Sequence, residues 1–305
     1  MTNSLVSVIM NCHNSEKYLE DAINSVINQT YQNWELIFWD NCSSDKSSQI
    51  VNSFKDKRIK YYLAKQFSSL GAARNLAISK SKGEYIAFLD CDDLWFPKKI
   101  ESQLPFFKDK EVGIVISNTI FFGKNIKDKI LYKENYPPPQ GFVFRKLIEA
   151  YYISLETVML SKKHLSRLDH LFDVRFEVIE EFDLLVRLSY FSKLSYVNKI
   201  LGKWRIHKES LSFKKNLLFP AETRIFIDKL KDIYSMEKYR KTIDKLMQKV
   251  IIDEFIIEWS EGKPSRKYLK KIIFKSKKGF LIFIFSFLFS YKFFKKLKNF
   301  MKAKI

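Results

Sequence analysis

The sequence predicts an α/β fold, a mostly parallel sheet flanked by helices, followed by a helical and strongly basic tail. Two patterns predict the sheet. Short apolar runs alternate with helical repeats of about ten residues, the signature of parallel strands covered on both faces. The polar and acidic residues cluster where those apolar runs end, which is where an open α/β sheet presents its ligand site. A third observation, the charge of the last 45 residues, sets the tail apart.

Leu5 to Met10 is an apolar run and reads as the first buried strand. Glu16 to Asn28 has helical spacing through Leu19, Ala22, Ile23, Val26 and Ile27, with Asn14 and Ser15 as its expected caps. Trp34 to Trp39 is the second strand, Ser47 to Phe54 a helix, Ile59 to Leu63 the third strand and Leu70 to Ser79 a helix. Tyr85 to Leu89 is the fourth strand. Pro97 to Phe107 reads as the helix after it, and Gly113 to Asn118 as one more strand. Lys124 to Gly141 is polar, carries three consecutive prolines, and is expected to be a loop. Glu180 to Phe191 is helical, with Glu180, Glu181 and Asp183 in the first turn at the positive end of the helix dipole. From about Phe219 the chain is helical and increasingly basic, so a catalytic domain is expected over 1–216 and a tail over 217–305.

At 305 residues and 46% hydrophobic content the chain can bury a full core, which excludes wholesale disorder. Cys12, Cys42 and Cys91 lack zinc-ligand spacing, and no signal peptide precedes the first strand. A cytoplasmic, reducing setting without disulfides is expected. Of the net charge of +20, +13 lies between Glu261 and Ile305, where fourteen Lys and Arg face one acid. Those lysines bracket Gly279 to Tyr291, an uncharged run of thirteen residues rich in Phe. A helix needs about 20 apolar residues to span a bilayer, so this segment is expected to lie in the interface of an anionic membrane, peripheral on the inner face of the plasma membrane. A buried core helix or a subunit contact is the alternative. A nucleic-acid partner would leave the apolar run without a role, and none is expected.

The most informative motif is Asp90-Cys91-Asp92-Asp93, at the end of the fourth strand and followed at once by Trp95, Phe96 and Pro97. Adjacent carboxylates repel, and a divalent cation on a phosphorylated ligand is the usual remedy. Asn11 to Asn14, Asp40 to Asp45, Gly71 to Asn75 and the acidic helix start at Glu180 fall on the same side of the inferred sheet.

The ordered set Val6 to Asn14, Trp39 to Asp45, Gly71-Ala72-Ala73-Arg74-Asn75, Gly83-Glu84-Tyr85 and Leu89 to Asp93 resembles the family 2 glycosyltransferases of GT-A fold. Glu180 to Leu188, Trp204 to His207 and Ser210-Leu211-Ser212 extend the likeness, which covers roughly the first 215 residues. The resemblance implies an inverting enzyme of bacterial surface-polysaccharide synthesis. It would take a UDP- or dTDP-sugar and hand the sugar to a hydroxyl of a glycan or lipid-linked glycan. Asn11 and His13 would line the nucleobase pocket, and Asp40 and Asn41 would close the base and ribose pocket. Asp90 would contact ribose or a metal-bound water, and Asp92 would bind Mn²⁺ or Mg²⁺. Arg74 would orient those carboxylates. Glu181 matches the catalytic base, with Asp183 as its competitor, while Arg205 and His207 would close over the diphosphate, the histidine as a further metal ligand. Two other classes share part of this pattern: a metal-dependent sugar nucleotidyltransferase, which needs an early Gly-rich basic loop that does not follow Met10, and a non-catalytic basic membrane-binding protein.

Overall fold

Strand β1 (Val6–Cys12) is central to the parallel half of the sheet, where both faces are covered and nearly every position must be apolar. Strands β2 (Trp34–Asp40) and β4 (Tyr85–Phe88) pair with it in parallel, and β3 (Ile59–Leu63) lies outside β2. These positions come from a computed structural model that describes residues 3–124, 126–208, 215–233, 236–262 and 277–293. The chain divides into two compact units, Met1–Lys214 and Lys215–Ile305.

In the first unit the sheet continues through β8 (Met159–Ser161), β6 (Val112–Gly123), β9 (Lys193–Arg205) and β5 (Leu94–Trp95), with β7 (Ile126–Ile130) added beside β6. The sheet is mixed. Strand β8 is antiparallel to β4 and β6, β7 to β6 and β5 to β9, so six of the nine strands run one way. The segment 124–141, expected to be a loop, therefore contains a strand. Every residue of β7 is exposed, and its ladder exists only because β6 offers an edge. Entry into β4 depends on Gly83: a Cβ there would lie 2.6 Å from the Ser7 amide nitrogen and 2.7 Å from the Leu5 carbonyl.

Helices α1 (Glu16–Ile27), α2 (Ser47–Ser53) and α3 (Leu70–Ser79) cover the parallel half. Leu19, Ala22, Ile23 and Val26 of α1 join the core beneath β1 and β2. The expected Pro97–Phe107 helix is shorter and in two parts, α4 (Lys99–Gln103) and a 3₁₀ turn over Leu104–Lys108. Helices α5 (Phe144–Glu149), α6 (Lys162–Leu165) and α7 (Glu180–Ser189) complete the unit. The capping of α1 differs from expectation. Ser15 makes no side-chain cap bond; Asp45 Oδ2 accepts from the Glu16 amide at 2.9 Å, while Asp45 Oδ1 accepts from Ser47 N at 2.9 Å at the start of α2. One carboxylate thus closes two helix starts.

The second unit contains α8 (Phe219–Ile233), α9 (Arg240–Ser260) and α10 (Lys277–Leu288). Arg224 of α8 pairs with Glu254 of α9 at 2.8 Å. Ile282 and Phe283 of α10 pack with Ile251, Ile252, Phe255 and Trp259 of α9, and Tyr291 joins them. Phe280, Leu281, Ile284 and Leu288 stay exposed. The apolar run thus covers part of a core and also turns a bare face outward. Among the described residues no helix is long and apolar enough to cross a membrane. The Ser210-Leu211-Ser212 motif and much of the lysine-rich sequence beside the apolar run lie outside the described residues.

Candidate active site

The ends of β1 and β2 meet with Cys12 opposite Asp40, and the turns beyond them interlock. Asn14 and Cys42 hold φ of 53° and 62°, a left-handed backbone that favours glycine or asparagine. Asn14 Oδ1 accepts from Ser44 N at 2.8 Å, and Ser43 Oγ accepts from Asn14 N at 3.0 Å. His13 Nδ1 donates to the Asn41 carbonyl at 2.9 Å, and its exposed ring meets Phe67 edge-on, centroids 4.8 Å apart. Asn11, at the end of β1, keeps an enclosed Nδ2 without a partner among the described residues.

Asp40 and Asn41, expected at the base and ribose pocket, are both bonded to the protein's own turns. Asp40 is fully buried, and its two oxygens accept from Ser43 N (2.8 Å) and Tyr61 Oη (2.9 Å). The Asn41 amide donates to the Ser68 carbonyl at 2.8 Å and accepts from Ser68 N at 3.2 Å. These bonds fix the strand-end turn and tie it to Ser68, in the segment that carries Phe67. Phe67 itself went unread in the sequence, because a single aromatic in a polar loop carries no pattern.

On the other side of the sheet centre, Arg74 of α3 is buried between Glu180 Oε1 at 2.8 Å and Asp90 Oδ1 at 3.3 Å. One guanidinium therefore ties the acidic end of β4 to the first turn of α7. Asp92 Oδ2 accepts from His207 Nε2 at 2.7 Å. Arg205 donates from Nε to the Asp92 carbonyl and from its amide to Asp93 Oδ1, each at 2.7 Å. Its guanidinium lies between the rings of Tyr18 and Phe122, 4.1 and 4.5 Å from their centroids. Arg205 and His207 reach the tetrad because β5, which follows Asp93, pairs antiparallel with β9.

The carboxyl groups here are crowded. Burial and then Asp90 raise the Asp92 carboxyl, with His207 opposing; burial, Glu156, Asp92 and Asp90 push Asp93 well above the carboxylate range. Glu181, partly exposed, is pushed by burial up to about 8; Arg74 opposes, while Glu180, Asp90 and Glu156 add repulsion. Tyr151 Oη approaches Glu181 Oε1 at 3.5 Å. Beneath them Glu156 is raised by burial, and buried Lys99, bonded to Gln103 at 2.6 Å, falls to about 7 for the same reason. A carboxylate and an imidazole in contact, Asp92 and His207, with Asp90 nearby, suit a divalent ion such as Mn²⁺. The sequence reading singled out neither Glu156 nor Lys99.

Asp183 does not compete with Glu181. It is fully buried, one turn into α7, and Arg187 holds its Oδ2 from Nε at 3.0 Å and Nη2 at 2.7 Å. Arg187 also donates to the carbonyls of His170 and Leu171. An ion-paired carboxylate with no exposed surface cannot take a proton from an incoming hydroxyl. Ligand atoms of His170, Asp173 and Asp183 come within 4.8 Å of one another, but Arg187 and Arg175 already neutralise the two carboxylates.

The model of the family described as Glycosyl transferase family 2 matches residues 7–181. The Escherichia coli UDP-Glc:alpha-D-GlcNAc-diphosphoundecaprenol beta-1,3-glucosyltransferase WfgD is 32% identical over 217 residues, 70% of this chain and 82% of that protein. The putative teichuronic acid biosynthesis glycosyltransferase TuaG of Bacillus subtilis is 29% identical over 224 residues, 70% of this chain and 85% of that protein. S. aureus TarS 1–349 in complex with UDP-GlcNAc has a similar fold, with TM-score 0.66 at 19% identity over 92% of this chain and 81% of that one. The mannosyltransferase PcManGT from Pyrobaculum calidifontis, solved with GDP-Man and Mn²⁺, matches at TM-score 0.59 and 11% identity over 97% and 86% of the two chains.

Proposed function

The chain belongs to glycosyl transferase family 2, and we propose that it moves a sugar from a UDP-sugar, with inversion, to a hydroxyl of a glycan carried on a polyprenyl diphosphate in cell-surface polysaccharide synthesis. The observation that carries this reading is the Arg74 bridge, which sets Glu181 beside the acidic end of β4. WfgD, by its name, uses UDP-Glc and a diphosphoundecaprenol-linked acceptor, which favours uridine over thymidine and a lipid-linked acceptor over a free one.

In this reading the base packs on the exposed His13 and Phe67 rings, which meet edge-on, and Asn11 lines the same pocket. Asp92 and His207 would hold Mn²⁺, and the ion would supply positive charge to offset that of the diphosphate. Asp90, braced by Arg74, faces the ribose. Arg205 braces the tetrad through its Nε and its amide, and its remaining guanidinium donors clamp the diphosphate. Glu181, as carboxylate, accepts the proton of the acceptor hydroxyl while that oxygen bonds to the anomeric carbon. The bond from that carbon to the diphosphate oxygen breaks, and UDP leaves with the electron pair. The exposed face of α10, with lysines on both sides in the sequence, lies on the anionic inner face of the plasma membrane near the lipid-linked acceptor.

The test is the thermal stability of the purified full chain with UDP, dTDP, GDP or CMP, each with and without Mn²⁺. A ligand at about 100 times its dissociation constant stabilises by about 2.7 kcal/mol. Stabilisation by UDP that requires Mn²⁺ is expected, followed by β-linked product from an α-linked UDP-sugar. Absence of any nucleotide response would overturn the reading.

A further inference from the structure

The opposite end of the sheet holds a cavity that the transfer reaction does not use. It has a volume of about 510 Å³ and opens where Tyr85 begins β4, Val112 begins β6 and Ser161 ends β8. Tyr85 lies roughly 16 Å from Asp90, five residues along an extended chain at about 3.3 Å each, so the cavity and the acidic tetrad occupy opposite poles.

Its lining is basic. Lys82, Lys110, Lys162 and Lys163 surround it, and Glu84 is the one acid among the lining residues. The Lys162 ammonium is fixed in the wall by the Ser81 carbonyl at 2.7 Å and the Ser81 hydroxyl at 3.2 Å. Lys82, Lys110 and Lys163 enter no ion pair among the described residues. Four like charges around one concavity repel unless an anion joins them.

His164 lines the cavity and is only 7% exposed, and its enclosed Nδ1, which is not open to the cavity, has no hydrogen-bond partner among the described residues, so the ring serves as a reporter set in the wall. Burial, then Arg167 and Lys163, also hold the imidazole below its ordinary proton affinity. Tyr85 and Phe107, rings 4.3 Å apart, supply an apolar wall beside the lysines.

We propose that this cavity, between the lysines and His164, binds a phosphate-bearing anion away from the catalytic site. The phosphate lies among the ammonium groups, and the rest of the ligand rests on Tyr85 and Phe107. The same chemistry is offered by a free phosphorylated molecule and by an anionic lipid headgroup.

The experiment follows the imidazole signal of His164 by NMR in the full chain, assigned with His164→Asn, during titration with inorganic phosphate in the presence of EDTA. The proposal expects that signal to move saturably, with the proton affinity of His164 rising. The double variant Lys110→Glu, Lys163→Glu should bind phosphate about tenfold more weakly or worse, the scale of two reversed charges in exposed surroundings. Its UDP and Mn²⁺ response should match the wild type, since neither lysine is near the tetrad. Saturation by phosphate identifies a free-anion site. Saturation only by vesicles containing phosphatidylglycerol, and not by phosphatidylcholine vesicles, identifies a headgroup site. A His164 signal unmoved by both probes, or moved equally in the double variant, would overturn the proposal whatever the fate of the transferase reading.

Discussion

The nucleotide-side turns and the acidic floor stand next to each other and are built on opposite electrostatic terms. At the ends of β1 and β2 the carboxylates are satisfied: Asp40 by Ser43 and Tyr61, Asp45 by two helix starts. At the end of β4 they are crowded, with Asp92, Asp93, Glu156 and Glu181 each raised by burial first and also by the charge of Asp90. The first region is scaffold, held by bonds that exist without ligand. The second carries unfavourable proximity that a bound cation and substrate would relieve, and such tension is characteristic of functional sites.

The largest effect should come from the crowded side. Asp92→Ala should abolish Mn²⁺-stimulated transfer, a loss of about a thousandfold or more if the ion supplies several kcal/mol. Nucleotide stabilisation in the variant should no longer depend on Mn²⁺, and full activity there would remove the metal assignment. Glu181→Gln should lower kcat by about 10²- to 10⁴-fold with UDP binding unchanged, as read by single-turnover kinetics and thermal shift. A parallel loss of binding would mean that Glu181 is structural.

The pH dependence sharpens the same contrast. Glu181 works as a base only when ionised, so kcat/KM should rise with pH through a limb near 8. For stability the sign is opposite. Its affinity is raised from 4.5 to about 8 on folding, so the native state holds a proton that the unfolded chain has released in that interval. The resulting stability is complete below about 4.5 and is lost as pH rises through about 8. Glu181→Gln should flatten that decline in denaturant unfolding measured from pH 5 to 9.

Arg74→Met leaves Glu180 buried without its cation and should cost about 3 kcal/mol in urea unfolding. A loss no larger than that of an exposed arginine would contradict the bridging role. Asp45→Ala tests the scaffold side and should cost about 1 kcal/mol while leaving kcat within twofold. A large fall in kcat there would erase the distinction between the two regions.

Much of this site was legible before any coordinates. The strand ends, the helix over Leu70–Ser79 and the segments that converge all follow from local periodicity and from where polar residues interrupt it. Other features were hidden. The strand β9 runs through Lys193, Lys199 and Lys203, which break any alternation of apolar and polar residues, and it forms because β6 and β5 pair with it. Asp183 and Glu181 look equivalent in a helical first turn. Only the position of Arg187, four residues on and aimed at Asp183, separates the buried ion pair from the candidate base.

By itself the sequence determined which residues form the strands β1 to β4, which carboxylates stand at their ends and that the tail is basic and apolar by turns. These are properties of short stretches of chain, fixed by periodicity, capping chemistry and composition. The tertiary structure alone decided that Arg74 spans Asp90 and Glu180, that Asp40 and Asn41 turn inward, and that His207 meets Asp92. Arg74 and Glu180 lie 106 residues apart, and His207 lies 115 from Asp92. The energy of a charge depends on its burial and on its nearest opposite charge, and neither is set until distant segments pack together.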